Sequence, residues 1–557
     1  MNNTKKKSPR IILSFLLIIL ISGFTYSQSE KDIYDRINKN MDIFGKAYKE
    51  IALNYVDNIN TDRFIRAGIE GMLSTLDPYT VYYDETNKSE IDLITAGKFG
   101  GIGLTIELRD SIVIITDIMT GYEAERKGLR TGDIITEIDG VDLKDQRLDK
   151  VRAMVRGEPG TKVLFKINRN GEIINFNLTR QEIILKNVSY YGFIGDEFGG
   201  TGYIKLDRFT NTSVNEFENS LKSLKSSGNL KGLIIDLRGN GGGLLEAAIG
   251  ILNKIVPRNN LLLITKGRDK DSEEKFFSSE EPVISEDIPV AVLINKYTAS
   301  ASEIVAGAVQ DLDRGIIIGT KSLGKGLVQQ IKDLSYGSMM KLTNKRYYTP
   351  SGRWIQEKNY FKENKYGVFV NNRVYEQKEF KTLNGRSVYA YGGISPDIEV
   401  QLLPESEVYL NLQLKDAFFK FANYYLEQNP GTNSFICTDE IFLEFKNFLI
   451  DNDIFYTSGE KSKLKELKEI TGKKSYENTA INEYITGIDA ILKSKADSEF
   501  ENSKEELKRA IEIEINKRLY TEENRIKASF GSDTQLNNAI SVLKNKQEYD
   551  NLLNKYK

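Results

Sequence analysis

The chain has 557 residues, with 77 basic and 79 acidic side chains, ten prolines, one cysteine and no histidine. That length calls for roughly two to four domains with cores of their own, and the near-balanced charge excludes a nucleic-acid binder carried by bulk electrostatics. Without histidine there can be no Ser-His-Asp triad, no His-ligated zinc and no imidazole acid/base chemistry, so a nucleophilic serine here would need lysine as its base.

The start of the chain reads as an export signal. Lys5, Lys6, Lys7 and Arg10 precede an apolar run from Ile11 to Phe24, and Thr25-Tyr26-Ser27 offers small residues at −3 and −1 for cleavage. The run is about 14 residues, short of the roughly 20 that cross a bilayer as a helix. An uncleaved anchor is the alternative. No cysteine lies near the cleavage point to take a lipid, and the single Cys437 cannot form an internal disulfide.

From Glu30 to about Asn60, Ile33, Ile37, Met41, Phe44, Tyr48, Ile51 and Tyr55 recur at helical spacing. A second helix is expected from Asp62 to Leu76, stopped by Asp77-Pro78. Between residues 97 and 182 the pattern turns to short strands, Leu104–Leu108, Ile112–Thr116 and Ile134–Ile138, parted by Gly and Asp-Gly turns. A short helix in 121–128 is closed by Gly128. With GLRTGDIITEIDG (128–140) downstream of Gly101-Ile102-Gly103-Leu104, this stretch resembles a PDZ domain. The resemblance implies that the Gly101–Leu104 loop holds a peptide's terminal carboxylate through backbone N–H groups, the peptide then adding as a strand to the sheet edge.

From about Gly200 the chain alternates between strands and helices. Leu233–Leu237 is an apolar strand that leads through the glycine loop Gly239–Gly243 into a helix. Strands at 289–295, 315–319 and 327–331 follow, the first leading straight into the helix that begins near Ser300. This alternation predicts an α/β core with a mainly parallel sheet. Beyond about Pro404, Lys/Glu/Leu/Ile segments predict helices, the last opened by a capping box at Ser532–Gln535 with Leu536, Ile540 and Leu543 on its face. The fold class is multidomain α/β. Its expected parts are a signal peptide (1–27), a helical N-terminal domain (28–95), a PDZ domain (96–185), an α/β core (186–404) and a helical C-terminal extension (405–557) of no readable role.

The candidate chemistry lies between Tyr297 and Gln330. Ser300-Ala-Ser-Glu303 is itself a capping box, so an ordinary helix N-cap competes with a nucleophile there. A serine at a helix N-terminus gains free N–H groups and the positive dipole end, which stabilise a developing oxyanion. Lys325 sits between Gly324 and Gly326, just before a strand. A lysine acts as a base only when neutral, which requires burial to lower its pKa from about 10.4. Gln329, two residues past Leu327, would share the face of Lys325 and could orient its amine. The glycine loop, with the N–H of Ala301, could complete an oxyanion hole. Gly319–Gly326 also matches a phosphate-binding loop except at its last position. Gly326 has no hydroxyl for magnesium, and a strand follows where a helix is needed.

Taken with GMLSTLDPYT (71–80), DLRGNGGG (236–243), TASASEIVAGAVQD (298–311), GKGLVQ (324–329), YYTPSGRWIQ (347–356) and GISPDIEV (393–400), the chain resembles the C-terminal processing peptidases, or tail-specific proteases, over residues 30 to 400. The resemblance implies a serine endopeptidase with Ser300 as nucleophile, Lys325 as general base and Gln329 positioning the lysine. It also implies an oxyanion hole from Ala301 and a loop glycine, Gly242. The expected substrates are proteins with nonpolar C-termini, with no metal or cofactor. Homodimers through the helical ends, a regulatory partner and a periplasmic or cell-envelope location complete the expectation; a catalytically inactive PDZ adaptor is the alternative. Asp311 occupies a further family position, but three helical turns place it about 16 Å from Ser300, which favours a structural role. Trp354, the only tryptophan, stands where the family often has a small residue.

Overall fold

The computed structural model describes residues 9–84, 88–109, 111–194, 200–358, 360, 377–401, 405–454, 456, 459–473 and 479–554. Lys5, Lys6 and Lys7 of the export signal lie outside them. The described residues up to Tyr82 form one compact unit and those from Tyr83 onward another. Among the described residues no helix is long and apolar enough to cross a membrane.

The first unit holds α1 (Pro9–Asn54) and α2 (Thr61–Leu73). Asn60 caps α2 by accepting the N–H of Arg63, and the Tyr48 ring stacks on Phe64 at 5.6 Å, which joins the two helices. The helix ends before the expected Leu76, with Ser74 as its C-cap. Tyr34, Ile37, Met41 and Ile51 on α1, and Tyr55 just past its end, remain exposed.

In the second unit, residues 104–179 form an antiparallel sheet whose main path runs β1 (Leu104–Arg109), β2 (Ile112–Ile118), β3 (Ile134–Ile138), β4 (Lys162–Arg169) and β5 (Glu172–Thr179), with the short strand Val141–Asp142 paired to β3. Its inward residues Ile106, Val113, Ile115, Ile135, Val163, Phe165 and Ile167 form one core with Val151 of α3 (Leu148–Val155). The alternation legible in the sequence is thus the alternation of a sheet buried on one face.

The peptidase core holds two sheets, one mixed and one antiparallel. Its central sheet runs β6 (Val188–Ile194), β7 (Thr201–Leu206), β8 (Gly232–Asp236), β11 (Val290–Ile294), β12 (Ile316–Gly319) and β15 (Ile398–Glu399); the first pair is antiparallel and the rest are parallel. β8 and β11 are buried at every residue, as their unbroken apolar runs require. A second, antiparallel sheet contains β9 (Leu261–Lys266), β10 (Glu274–Phe277), β13 (Leu327–Asp333) and β14 (Met339–Tyr348). The strand after Lys325 was expected in the parallel sheet. It folds back on β14 instead, because a strand's composition does not name its partner.

Three helices, α4 (Ser213–Ser226), α5 (Leu245–Asn253) and α6 (Ala301–Asp311), pack on one face of the central sheet. The other face is covered from the far end of the chain. Leu536, Ala539, Val542 and Leu543 of α11 (Thr534–Lys544), with Tyr549 of α12 (Lys546–Leu552), close over Tyr203, Ile234, Leu293 and Ile318. The Tyr549 hydroxyl accepts the N–H of Val290 at 2.9 Å and donates to its carbonyl at 3.1 Å. The last two helices are therefore a layer of the peptidase core. The cap of α11 is Asp533, which accepts the N–H of Leu536, one residue past the expected Ser532.

Between core and terminus, α7 (Glu407–Leu414), α8 (Ala417–Gln428), α9 (Asp439–Asp451) and α10 (Lys504–Leu519) share an aromatic core of Phe418, Phe421, Phe442, Phe445 and Phe448. These helices also grip the PDZ sheet. Arg109 of β1 bonds Asp416 at 2.7 Å, and the Arg109 and Arg518 guanidinium groups lie 4.4 and 4.7 Å from the Phe419 ring.

Candidate active site

The candidate site forms where α6 leaves β11. After Ile294 the chain turns sharply: Thr298 accepts the N–H of Asn295 and donates to the carbonyl of Leu237 at 2.9 Å. Ser300 then takes φ +57° and ψ −118°, which a non-glycine residue rarely adopts and which costs on the order of 1–3 kcal/mol. Strain of that size persists only where the surroundings enforce it. Ser300 and Glu303 stand in the capping-box relation, but the Ser300 side chain makes no capping hydrogen bond. The N–H of Ala301, in the first turn of α6, has no carbonyl four residues back and points from the positive end of the helix dipole.

The glycine loop is clamped to this turn by Asn240. Its carbonyl accepts the N–H of Ala299 and the hydroxyl of Ser302, both at 3.0 Å, while its side-chain amide donates to Leu206. Gly242, at φ +96°, lies so close that a Cβ there would come within 2.6 Å of the Ala299 carbonyl and 2.8 Å of Ser300 Cβ. Only glycine fits. Its own N–H, however, is donated to Asn240 Oδ1 at 2.8 Å, so in this conformation Gly242 is in contact with Ser300 while its donor is engaged elsewhere.

The root of the loop is held by charge. Arg238 meets Asp236 and, from the cap of α11, Asp533, each at 2.6 Å, and Tyr203 donates to Asp236 at 2.7 Å. Burial alone would raise the Asp236 carboxyl, but Lys205 and Arg238 outweigh it and bring it down to about 2. Burial also pushes the Tyr203 hydroxyl well above its usual range, with Asp236 adding to the effect.

Lys325 is brought to the same turn through Glu303. The segment 322–326 wraps the buried carboxylate of Glu303, whose Oε1 accepts the Ser322 hydroxyl at 2.5 Å and the Gly324 N–H at 2.7 Å. Its Oε2 accepts the N–H of Lys325 at 2.9 Å and that of Ser300 at 2.8 Å. The next peptide is fixed too: Gly326 donates its N–H to Gln356, and its carbonyl accepts the Trp354 indole N–H at 2.8 Å. The Trp354 ring nitrogen would lie 2.6 Å from a Cβ at Gly326, so this tryptophan requires a glycine beside the lysine. The Tyr347 hydroxyl reaches the Ser300 carbonyl at 3.2 Å. Gln329 follows on β13, where the register with β14 shifts between Val328 and Gln329, so that Gln329 faces Thr343. Its amide donates to Thr343 across the hairpin at 3.1 Å.

Asp311 stands at the far end of α6, paired with Arg353 at 2.8 Å and accepting the N–H of Ser351; all of this is remote in the helix from Ser300. In the PDZ loop, Gly101 ends a strand paired to Gln181, and the buried Ile102 accepts at its carbonyl the N–H of Ala124. Gly103 takes φ +81° with a Cβ position 2.2 Å from Tyr122, and Leu104 opens β1, the edge strand of its sheet. Among the described residues no group of three or more His, Cys, Asp or Glu side chains is placed to hold a metal ion.

Sequence reasoning missed Asn240, Glu303, Gln356, Tyr347 and the Arg238–Asp533 pair. Glu303 was visible as a capping residue. Nothing in the sequence says that its carboxylate also gathers a segment some twenty residues downstream.

An α/β core with a strained serine at a helix N-terminus, joined in one chain to a PDZ sheet, has the plan of a PDZ-bearing serine peptidase. Comparison with known proteins agrees. Residues 200–368 match peptidase family S41, 114–169 a PDZ domain, 23–87 the N-terminal domain of the activating protease CtpB, and 408–543 the C-terminal helical domain of probable PDZ-proteases. The carboxy-terminal-processing protease of Bartonella bacilliformis is 33% identical over 351 residues, 62% of this chain and 78% of that protein. A probable CtpA-like serine protease of Staphylococcus aureus is 30% identical over 349 residues, 62% of this chain and 69% of that one. Among solved structures, a photosystem II D1 C-terminal processing protease aligns at 26% identity over 65% of this chain and 93% of that chain, with a TM-score of 0.36. The chain belongs to peptidase family S41, the carboxy-terminal-processing proteases, and is a serine-type peptidase acting on protein C-termini.

Proposed function

We propose that this is an exported endopeptidase that captures nonpolar C-termini and cleaves with a Ser300/Lys325 dyad. One observation carries the reading: three segments distant in sequence, the Ser300 turn, the Gly239–Gly243 loop and the Lys325 strand, meet around a single helix N-terminus. In the reaction, Lys325 Nζ takes the proton from Ser300 Oγ as the oxygen attacks the scissile carbonyl. The oxyanion is held by the Ala301 N–H and a donor of the glycine loop. The amine leaves with the proton from Lys325, and water, activated by the same lysine, releases the acyl group. Gln329 orients the lysine. The loop Gly101–Leu104 takes the substrate's terminal carboxylate, and the chain beyond it adds along the edge of β1.

A latent resting form is favoured by one specific observation, the donation of the Gly242 N–H to Asn240 rather than to the space beside Ser300. Substrate or a regulatory partner then frees a loop donor. The exposed apolar face of α1 is assigned to a homodimer contact, and the basic-then-apolar start to export into the periplasm or envelope. The test is cleavage of an unfolded reporter ending in nonpolar residues by the mature chain from Gln28, beside Ser300→Ala, Lys325→Ala and a reporter with a charged tail. Loss in both variants and weak cleavage of the charged tail support the reading. Undiminished cleavage by either variant overturns the dyad, and tail binding without any cleavage indicates an adaptor.

A further inference from the structure

Glu303 is an unusual way to cap a helix. A surface glutamate three residues past the cap would bond one N–H and keep its charge in water. This one has 0% of its surface exposed and makes no ion pair among the described residues, yet accepts four hydrogen bonds. An unpaired carboxylate in the interior is costly unless every lone pair is used. Here every donor is fixed. Three are backbone N–H groups, of Ser300, Gly324 and Lys325, and the fourth is the Ser322 hydroxyl, whose oxygen is itself turned toward the N–H of Ile394 at 2.7 Å. Four such donors suit the ionised carboxylate, because a protonated acid would have to surrender one acceptor site.

The distribution of those bonds is what links Glu303 to the chemistry. Ser300 and Lys325 bond the same oxygen, Oε2, so their backbone nitrogens can be no farther apart than the two bonds laid end to end. The Ser300 N–H belongs to the residue held at φ +57°, and the Lys325 N–H belongs to the first residue of the short link into β13. Without the carboxylate, three N–H groups lose their acceptor, and the ties left between the turn and the lysine segment are the Leu323 N–H bond to the Thr298 carbonyl at 3.0 Å and the more distant Tyr347 and Trp354 contacts.

We propose that Glu303 is a positioning residue of the peptidase reaction, whose one carboxylate fixes the backbone of the nucleophile Ser300 against that of the base Lys325. The inference rests on the Ser300/Lys325 reading above. Glu303 touches neither substrate nor the reacting atoms. It sets where they stand. Burial pushes its carboxyl above the usual range, and the four donors offset only part of that rise.

The experiment uses the mature full-length chain and compares Glu303→Gln with the parent, with Ser300→Ala and Lys325→Ala as controls. Glutamine keeps the shape and one acceptor but turns an NH₂ toward donors. Cleavage of the nonpolar-tailed reporter is resolved into kcat and KM, and the rate at which a fluorophosphonate labels Ser300 is measured alongside. Expected are a fall in kcat of about 10²-fold, a similar loss of labelling rate, and a KM within about threefold of the parent, since the tail is bound elsewhere. Fluorescence of Trp354, the only tryptophan and bonded to Gly326 beside the lysine, reports whether that segment has moved. If kcat and labelling stay within about threefold of the parent while both control variants are dead, the proposal is wrong and the dyad stands. If a control variant remains active, the dyad reading itself fails. Should Glu303→Gln not fold, Ser322→Ala decides: it removes one of the four bonds without stranding the carboxylate, and an unchanged kcat there overturns the proposal just as a lowered kcat at constant KM upholds it.

Discussion

Replacing Gly242 by alanine tests how closely the glycine loop and the nucleophile are packed. The added methyl would sit 2.6 Å from the Ala299 carbonyl oxygen and 2.8 Å from both Ser300 Cβ and the Ala301 nitrogen. All three neighbours are backbone or Cβ, so no flexible side chain can swing aside. The φ of +96° adds strain on the order of 1–3 kcal/mol for any residue with a Cβ. Relief requires the loop and the serine turn to part, and about 1 Å of displacement at reacting groups typically costs 10²-fold in rate. Fluorophosphonate labelling of Ser300 and kcat on the reporter should therefore both drop by about 10²-fold, while tail affinity, measured by a fluorescent peptide, holds. The melting temperature should fall by only a few degrees, because strain of about 2 kcal/mol is spread over a large core. A variant that labels and cleaves within about threefold of the parent would refute the tight apposition of Gly242 and Ser300.

Ending the chain at Ser532 removes the two helices that cover Tyr203, Ile234, Leu293 and Ile318, and with them several apolar side chains worth about 1.5–3 kcal/mol each, a loss comparable to a whole domain's stability. The truncated chain should be insoluble or lack a cooperative unfolding transition by circular dichroism; a soluble, active product would show that α11 and α12 are dispensable. Asp236 carries a pH signature. Its folded pKa of about 2 lies below the unfolded value near 3.9, so its ionisation stabilises the fold above about pH 4, and that contribution is lost as pH falls toward 2. Urea unfolding of Asp236→Asn should be weaker at neutral pH by about 3–5 kcal/mol and show a shallower acid loss than the parent; equal slopes would rule the pair out as the cause. Cys437 is buried and its thiol is pushed up to about 12, mainly by that burial. It should resist maleimide in the native protein and react only as urea opens the helical domain, so prompt native labelling would contradict its placement.

The parts of the fold legible in the sequence were those fixed by local periodicity. The inward-facing run Val113 and Ile115 in β2 and the unbroken strand at 290–294 announced their own burial. Ser300 and Lys325 stand out as candidates for a different reason: a chain without histidine leaves few bases, and their sequence neighbourhoods are distinctive. Three things could not be read. Which sheet a strand joins depends on pairing at a distance, so the strand at Leu327 was assigned to the wrong one. A register shift on the facing strand is silent in composition, so Thr343 could not be named as the residue opposite Gln329. The Arg238–Asp533 pair spans most of the chain, and no periodicity reports such a contact.

That pair also changes what the C-terminal helices are for. α8 and α10 hold the PDZ sheet through Arg109, Asp416, Phe419 and Arg518, while the cap of α11 holds the residue that precedes the glycine loop. A single helical segment thus fastens both the PDZ sheet and the root of the glycine loop beside Ser300. Surface ion pairs would do little here, since exposed ones contribute about 0–1 kcal/mol. The Arg238 pair is largely buried and networked with Tyr203 and Asp236, so breaking it strands charge in the interior. It follows that Asp533→Ala should act at two places, by uncapping α11 and by loosening Arg238. The stability loss should exceed the 0.5–2 kcal/mol typical of a lost cap alone, measured against Thr438→Ala, an uncharged cap that holds no arginine. Equal losses at the two caps would mean that the ion pair contributes nothing to holding the loop.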